Sequence, residues 1–408
     1  MSSSDDKINS KNLVSTQNKR KAVAALVAAR IVYAIIWLNI GAIFYLIGPD
    51  LNSGVSGLGL LASSFYLGIG IFQIPGGILA ARLGPKRVVV LGVFMTSLAA
   101  LGTSFSGNLQ QFAILRFIVG AGMALQFAPG VVLIAMLLGG SANRSKSGIS
   151  VGIFNSAFGV GGLFGLFGWT IIASLTGWRP SLALSGVLGV LTGLLMLALV
   201  PRDSGAIEFK LSKSELLKVL RDKALIILGL GTLSLSIGNN LIATFMAYYL
   251  HVKLGIAPVL AGLVPTITVV IPIFSALWGA RLYDRMKKPR LLMIASCASM
   301  SGSLLISAVP SVLASAVAAT LGGVAFGVGL TVTFAAARDL NRAQKEYDSL
   351  AVSWVNCISL TGLFWPPLLF SYLAVSLGYQ EAWLGGALVE FLLFVPLFFM
   401  AEGIRTKQ

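Results

Sequence analysis

The sequence predicts an all-α integral membrane protein with twelve transmembrane helices in two pseudo-symmetric six-helix bundles. Three observations predict it: an apolar composition, twelve long apolar runs and a weak internal repeat. Of the 408 residues, 56% are hydrophobic and only 11% are charged, whereas about a quarter of the residues in ordinary soluble domains are charged. A soluble protein of this size would need far more polar surface to cover its core.

Twelve apolar runs reach the length of about 20 residues that a helix needs to cross a bilayer. Spans 1–6 form a predicted N-terminal bundle, residues 22–200, and spans 7–12 a predicted C-terminal bundle, residues 224–401. Residues 1–21, rich in Ser, Asn, Asp and Lys, are expected to be a disordered cytoplasmic tail, and residues 402–408 a second one. In order, spans 1 to 12 are predicted at 22–47, 56–80, 88–105, 110–138, 148–175, 180–200, 224–250, 258–280, 291–309, 311–336, 350–376 and 381–401.

Residues 201–223 form a polar linker between the two bundles. Its Ser212-Lys-Ser-Glu215 sequence has the form of a capping box, and a mixture of Leu, Val, Lys and Arg follows it. We therefore expect a short amphipathic helix that lies on the inner membrane surface. A plain flexible linker is the alternative.

The positive charges predict the orientation in the membrane. Most of the 30 Lys and Arg residues lie in the two tails and in alternate loops, whereas the other loops carry just Arg179 and Lys253. Positively charged segments stay in the cytoplasm. We therefore expect a multi-pass protein of the plasma membrane, surrounded by lipid, with both termini in the cytoplasm.

The composition argues against several other classes of function. The formal net charge is +16, but the cations flank apolar runs and form no soluble basic domain, so no nucleic-acid partner is expected. Cys297 and Cys357 lie in different spans, and His251 is the single histidine, so no metal site or disulfide framework is predicted. The sequence shows no nucleophile–base pair and no phosphate loop, so neither an enzyme nor a cofactor is expected.

An internal repeat relates the two bundles at an offset near 200 residues. Repeat-built transporters place the substrate site near the midplane, between the repeats. Four alignments support the repeat: Val119–Ala128 with Phe326–Ala335, Asn155 with Asn356, Asn39 with Asn240, and Ala81-Arg82 with Asp284-Arg285.

The loop between spans 2 and 3, Gly77-Ile-Leu-Ala-Ala-Arg-Leu-Gly-Pro-Lys-Arg87, resembles the loop motif of the major facilitator superfamily. Gly279-Ala-Arg-Leu-Tyr-Asp-Arg285 is a fainter copy between spans 8 and 9, and Arg116-Phe-Ile-Val-Gly-Ala-Gly122 resembles the family's second motif. The resemblance extends over essentially the whole chain. It implies a carrier that works by alternating access.

The resemblance also implies a latch between the halves. The acidic residue of the motif, which helps hold the outward-open state in the family, is Ala81 here, whereas the copy keeps Asp284. We expect Asp284 to meet the start of span 5, near Arg144, Lys146 and Ser147, because a carboxylate is stabilised at a helix N-terminus. Arg82, Lys86 or Arg87 would face Glu346 and Asp348 at the start of span 11; alternatively Lys86 and Arg87 only set the topology. The latch candidates are Gly77, Arg82, Gly84, Lys86, Arg87, Asp284, Arg285, Glu346 and Asp348.

Three charged residues lie within the hydrocarbon region: Arg30, Arg116 and Glu390. A mid-bilayer Arg costs about 2.5–3.5 kcal/mol even on a lenient scale. We expect the two guanidiniums to converge in an electropositive central cavity, where they would bind a carboxylate or phosphate. The alternatives are a structural or coupling role for Arg116 and snorkelling of Arg30 towards the inner interface.

Glu390 lies near the middle of span 12, which is peripheral in this fold. We expect a protonated acid that faces lipid or a neighbouring subunit, with proton coupling as the alternative. Pro265, Pro272, Pro366 and Pro367 are expected to interrupt spans 8 and 11. Polar residues at comparable depth complete a candidate binding shell, although any one Asn is more simply an interhelical hydrogen bond: Tyr33, Asn39, Gln126, Asn155, Asn239, Asn240 and Asn356.

An Arg on span 1 together with one on span 4 is similar to the anion:cation symporter branch of the superfamily, which moves organic acids. That branch has acids where this chain has Ala29 and Met123, so the coupling mode stays open. The leading hypothesis is a monomeric transporter of a small organic anion. Efflux of hydrophobic or cationic compounds is the alternative, although span 5 lacks the Gly-Pro motif usual in drug exporters. A membrane sensor that does not transport is a third hypothesis.

Overall fold

The computed structural model describes the backbone of residues 2–138, 144–201, 213–340 and 348–400. Within these ranges, twelve helices are long and apolar enough to cross a membrane. The predicted twelve-span, all-α membrane architecture is confirmed. The spans, numbered as above, run Asn18–Asp50, Val55–Leu83, Pro85–Thr103, Leu109–Leu137, Gly152–Thr176, Trp178–Leu199, Lys223–Leu254, Pro258–Met286, Pro289–Ser307, Val312–Leu340, Leu350–Ser376 and Tyr379–Phe399.

Three spans are not single regular α-helices. Span 5 lies on a helix that starts at Arg144 and passes through a π-helical turn, Phe164–Gly168, before a last segment, Trp169–Thr176. Span 11 is divided into Asp348–Gly362 and Pro366–Ser376, as its proline pair predicts. Span 12 ends in a 3-10 turn, Val395–Phe399.

Two expectations about local structure are wrong. Helix 1 begins at Ser2 instead of following a disordered tail, because extending an existing helix costs far less than nucleating one. Span 8 is unbroken although it contains Pro265 and Pro272. Contacts with neighbouring helices and small local adjustments of the backbone let a membrane helix continue through proline.

The linker contains the predicted short helix, Lys213–Leu220. Its Val219 is 2% exposed and packs into the core of the C-terminal half. Span 7 follows directly, and the Asp222 side chain caps it by accepting a hydrogen bond from the Ala224 amide at 2.8 Å. A position on the membrane surface stays a prediction.

The two halves have matching helix lengths. Spans 2 and 8 both have 29 residues, and they begin at Val55 and Pro258; spans 3 and 9 both have 19 residues. Spans 4 and 10 again have 29 residues each, beginning at Leu109 and Val312, so the offset is 203 residues. This register pairs Gly120 with Gly323 instead of Gly327. The predicted alignment slipped by one helical turn because a shift of four residues keeps glycines on the same helix face.

Each half is tied at the end of its last helix. Lys86, at the start of span 3, donates to the Val200 carbonyl at the end of span 6 and approaches the Leu197 carbonyl at 3.4 Å. Arg290, at the start of span 9, donates to the carbonyls of Met400, at 3.2 Å, and Phe398 at the end of span 12. Cations are favourable at the carboxyl end of a helix.

The halves are joined at one end of the molecule and separate towards the other. At the end remote from the termini, here called the far end, residues of both halves share one hydrophobic core that includes Phe44, Phe65, Phe245 and Phe370. Towards the termini, this core gives way to two clusters, one formed by residues 22–200 and one by residues 219–400. The described part of the chain is therefore closed at the far end.

Candidate functional site

The Arg30 side chain is enclosed by aromatic rings in the N-terminal half. Arg30 is 6% exposed. Its guanidinium carbon lies 4.3 Å from the ring centre of Tyr33 and 4.4 Å from that of Phe154. The rings of Phe158 and Phe127 follow at 4.9 and 5.1 Å. Two of its nitrogens, Nε and Nη1, are buried without a hydrogen-bond partner. This enclosure contradicts snorkelling of Arg30 to the interface.

Arg116 lies deeper towards the far end, between the two halves. It is 3% exposed. Its Nη1 donates to the Ile36 carbonyl of span 1 at 3.1 Å, and its guanidinium carbon lies 4.4 Å from the centre of the Phe65 ring. Its Nε is buried without a partner. Arg116 lines a narrow cavity to which Trp37 and Tyr66 of one half and Thr244 of the other contribute.

The two guanidiniums do not converge in one chamber as expected. Arg116 contacts span 1 at Ile36, which is six residues beyond Arg30, or about 9 Å along a helix axis. Aromatic rings fill the interval: the Trp37 ring centre lies 5.7 Å from that of Tyr33 and 5.0 Å from that of Phe65. Counting residues from the ends of spans 1 and 4 predicted that both arginines lie near the midplane. The direction and packing of their side chains separate the two guanidiniums into two levels.

Neither guanidinium is neutralised by an acid within the described residues. No Asp or Glu of that set lies within 4 Å of Arg30 or Arg116. A buried, unpaired charge is costly, and the aromatic faces compensate only part of this cost. The N-terminal half therefore presents buried positive charge with unused hydrogen-bond donors.

Tyr66 and Asn240 connect the halves beside the Arg116 cavity. The Tyr66 hydroxyl donates to Oδ1 of Asn240 in span 7, and Nδ2 of Asn240 donates to the Ser236 carbonyl at 2.7 Å. Asn39 is 1% exposed and both of its amide atoms are unpartnered, as is Oδ1 of Asn239. Asn240 thus bonds to a residue that lines the cavity, although its own side chain is not part of the lining.

Gln126 is placed elsewhere than expected. Its Nε2 donates to Thr96 Oγ1 at 2.8 Å and to the Gly92 carbonyl at 3.1 Å. These bonds fix span 4 against span 3, so Gln126 packs two helices together and does not belong to the binding shell. Sequence depth could not reveal which neighbour the amide faces.

Asn155 and Asn356 lie on the termini side of spans 5 and 11. Asn155 is exposed and Asn356 is half-buried. The hydrophobic cores of the halves are separate at this end. A role for this pair in binding stays a prediction.

The aromatic residues around the arginines were missed, apart from Tyr33. Tyr33 and Trp37 are spaced i, i+4, which places both on the same face of span 1; this spacing was a signal available in the sequence. Phe65 and Tyr66 of span 2 gave no such signal, because their approach to Arg116 depends on how span 2 packs against span 4.

The latch residues are partly described. Asp284 is exposed and pairs with Lys287 of its own helix end at 3.6 Å. Gly77, Arg82, Arg87 and Arg285 are exposed. Gly84 caps span 2 with a φ of 87°, a conformation that favours glycine. The side chains of Arg144, Lys146, Ser147, Glu346 and Asp348 lie outside the described residues, so the expected pairings with them stay predictions.

Glu390 was expected to face lipid or a neighbouring subunit, and this expectation is wrong. It is 0% exposed, and its carboxyl oxygens accept hydrogen bonds from Ser301 at 3.1 Å and from Ser234 at 3.3 Å. A peripheral helix still turns one face inward, and Glu390 lies on that face, between spans 7, 9 and 12. Proton coupling through Glu390 stays a prediction.

Replacing Glu390 by Leu is expected to lower the melting temperature of the purified protein. The change removes the acceptor of the Ser301 hydroxyl, and a buried unsatisfied group costs about 1–3 kcal/mol. Glu390→Gln keeps the size and an acceptor oxygen, so it is the matched control with a smaller effect. Ser301→Ala removes the same hydrogen bond, so its melting temperature should also be lower than that of the wild type. The decrease in the double variant should be smaller than the sum of the two single decreases. A Glu390→Leu protein that melts at the wild-type temperature would contradict this role.

Comparison with protein families agrees with this architecture. The sequence model of the Major Facilitator Superfamily matches residues 26–339 and 228–407. Two solved transporters have the same fold: a bacterial homologue of the human lysosomal transporter Spinster, in an inward-facing and occupied conformation, with a TM-score of 0.73, 14% identity and coverage of 93% of this chain and 96% of that chain, and a D-xylose–proton symporter, with a TM-score of 0.75, 15% identity and coverage of 96% and 99%.

Two bacterial relatives match part of the chain. It is 28% identical over 265 residues to the quinolone resistance protein NorA of Staphylococcus aureus (strain MSSA476), which covers 62% of this chain and 65% of NorA. It is 29% identical over 147 residues to the 4-hydroxybenzoate transporter PcaK of Pseudomonas aeruginosa, which covers 36% of this chain and 32% of PcaK. The chain thus spans less than two thirds of either relative.

Proposed function

This chain belongs to the Major Facilitator Superfamily, and we propose that it carries a small organic anion across the membrane by alternating access. The observation that carries the proposal is Arg116: a guanidinium without an acidic partner among the described residues, in a cavity lined by both halves. An Arg fork binds a carboxylate through two parallel hydrogen bonds. The negative charge of a substrate anion would pair with the guanidinium in place of an acidic residue of the protein.

The aromatic surroundings favour an anion that carries a flat apolar body. Trp37, Phe65 and Tyr66 line the Arg116 cavity, and aromatic faces stack well on planar rings. The name of PcaK, a 4-hydroxybenzoate transporter, agrees with this chemistry. We take ring-bearing carboxylates as the first substrates to test.

The proposed setting is a monomer in the plasma membrane with both termini in the cytoplasm, as the positive charges predict. In that orientation the far end is extracellular, and this conformation, closed at the far end, is inward-facing. Its likeness to an inward-facing Spinster homologue agrees with this assignment.

Export of hydrophobic or cationic compounds is the second candidate. The likeness to NorA, a quinolone resistance protein, covers more of the chain than the likeness to PcaK. Aromatic rings also bind hydrophobic and cationic molecules. The two unpaired guanidiniums argue against a cation at the same place.

Uptake into proteoliposomes tests the two candidates. Benzoate, 4-hydroxybenzoate, a dicarboxylate and inorganic phosphate are compared with ethidium and a neutral quinolone-sized dye. We expect uptake of at least one carboxylate, and its loss in Arg116→Gln, with Arg221→Gln, an exposed Arg outside the spans, as the matched control. Carboxylate uptake that survives both Arg116→Gln and Arg30→Gln, or transport of the cationic dye alone, would reject the organic-anion assignment.

A further inference from the structure

We propose that Arg30 and Arg116 are two separate anion subsites used in turn, Arg116 when the far end is open and Arg30 when the termini side is open. The inference rests on the proposed function, since it divides one anion path into two subsites, here called the Arg30 station and the Arg116 station. Each station has a guanidinium that is more than nine-tenths buried and keeps at least one hydrogen-bond donor without a partner.

The two forks lie against different turns of span 1, and the ring of Trp37 lies between them, which argues against one small anion that binds both in this conformation. Arg116 donates to the Ile36 carbonyl, which lies six residues beyond Arg30 in span 1, a rise of about 9 Å along the backbone, whereas the Arg30 guanidinium lies over Tyr33. The two oxygens of one carboxylate lie much closer together than this rise. One carboxylate can therefore engage one fork at a time.

The interval between the stations is lined for the apolar body of the anion. Trp37 stands between them and contacts Tyr33, above Arg30, and Phe65, above Arg116. It also approaches Phe158 of the Arg30 enclosure, with ring centres 5.8 Å apart. A ring-bearing carboxylate that leaves one fork can stay stacked on Trp37 while its charge reaches the other.

The closed far end assigns each station to one side. Beside Arg116, Tyr66 donates to Asn240 across the halves, and Gly41 lies against the Thr244 backbone. Arg116 can therefore be reached from the far side only after the halves part there. Arg30 lies on the termini side of Trp37, where Phe127 and Phe154 of its enclosure pack in the N-terminal cluster and the halves have separate cores.

Initial rates of benzoate transport, measured in right-side-out and everted membrane vesicles, test the assignment. The variants are Arg30→Lys and Arg116→Lys, which keep the charge but lose the planar fork, with Arg221→Lys as the control. We expect Arg116→Lys to raise the half-saturating benzoate concentration at least tenfold from the far side and less than twofold from the termini side. Arg30→Lys should show the opposite pattern.

Several outcomes overturn the proposal. If both variants raise the half-saturating concentration equally on both sides, the anion uses one shared site, and the organic-anion function stands without two stations. If a dicarboxylate binds at least a hundredfold more tightly than benzoate and both variants abolish this preference, one substrate bridges the forks. If neither variant, on either side, alters the transport of any anion, the proposed function itself fails.

A second variant protects the test against poor folding of Arg30→Lys. The ring centre of Phe154 lies 4.4 Å from the guanidinium carbon of Arg30. Phe154→Leu therefore loosens the aromatic enclosure without changing any charge. It should raise half-saturation on the termini side alone. An unchanged half-saturation there would remove the Arg30 station.

Discussion

Gly41→Val is expected to hold the two halves apart at the far end and to stop transport. A Cβ atom at Gly41 would lie 2.6 Å from the carbonyl oxygen of Thr244 and 3.1 Å from its Cα, both backbone atoms of the opposite half. Backbone cannot move aside as a side chain can. Overpacking costs up to about 3 kcal/mol, which disfavours closure about 100-fold. Uptake of the substrate into proteoliposomes measures the loss.

The fold of the Gly41→Val protein should survive, because the clash exists only when the far end is closed. Its yield and melting temperature should stay near those of the wild type. Gly302→Val is the matched control, since a Cβ there has Leu321 as its nearest neighbour at 4.0 Å. Wild-type uptake by Gly41→Val would show that closure at Gly41 is not required for the transport cycle.

The same substitution at Gly120 is expected to have a different outcome, namely loss of folded protein. A Cβ there would lie 2.0 Å from the carbonyl oxygen of Phe65, and both residues belong to the N-terminal half. Spans 2 and 4 then cannot pack in any conformation of the carrier, with a cost of about 3 kcal/mol or more. Size-exclusion chromatography of detergent extracts measures the yield of monodisperse protein.

Gly68→Val provides the reciprocal test for this pair of spans. Its Cβ would lie 2.1 Å from the Phe117 carbonyl oxygen, so it should fail in the same way as Gly120→Val. Normal yield of both variants, combined with slow transport, would mean that spans 2 and 4 separate during the cycle.

The architecture could be predicted from the sequence because it depends on properties of single segments. The length and hydropathy of a run determine whether it can cross a bilayer, and this held for all twelve spans. The proline pair at 366 and 367 correctly predicted the division of span 11. Pro265 and Pro272 wrongly predicted a break in span 8, because a membrane helix that packs against neighbouring helices tolerates proline.

The candidate site could be predicted only in part. Arg30 and Arg116 were identified because a charge in hydrocarbon needs a reason, but their separate levels depend on side-chain direction. Glu390 and Gln126 show the same limit, since hydropathy gives the depth of a residue and not the neighbour that it faces. The link between Tyr66 and Asn240 depends on how the two halves pack, which no single segment encodes.

The ties at the ends of spans 6 and 12 affect how membrane orientation is mapped by mutation. When orientation is predicted from charge, every Lys and Arg in a loop is given the same weight in favour of the cytoplasmic side. Lys86 and Arg290 also secure the last helix of each half through carbonyl contacts. Deleting either one would reduce the amount of protein in the cell, and that deficit would imitate reversed insertion. Neutral replacements at the exposed Arg82 and Arg87 are the informative ones for such mapping.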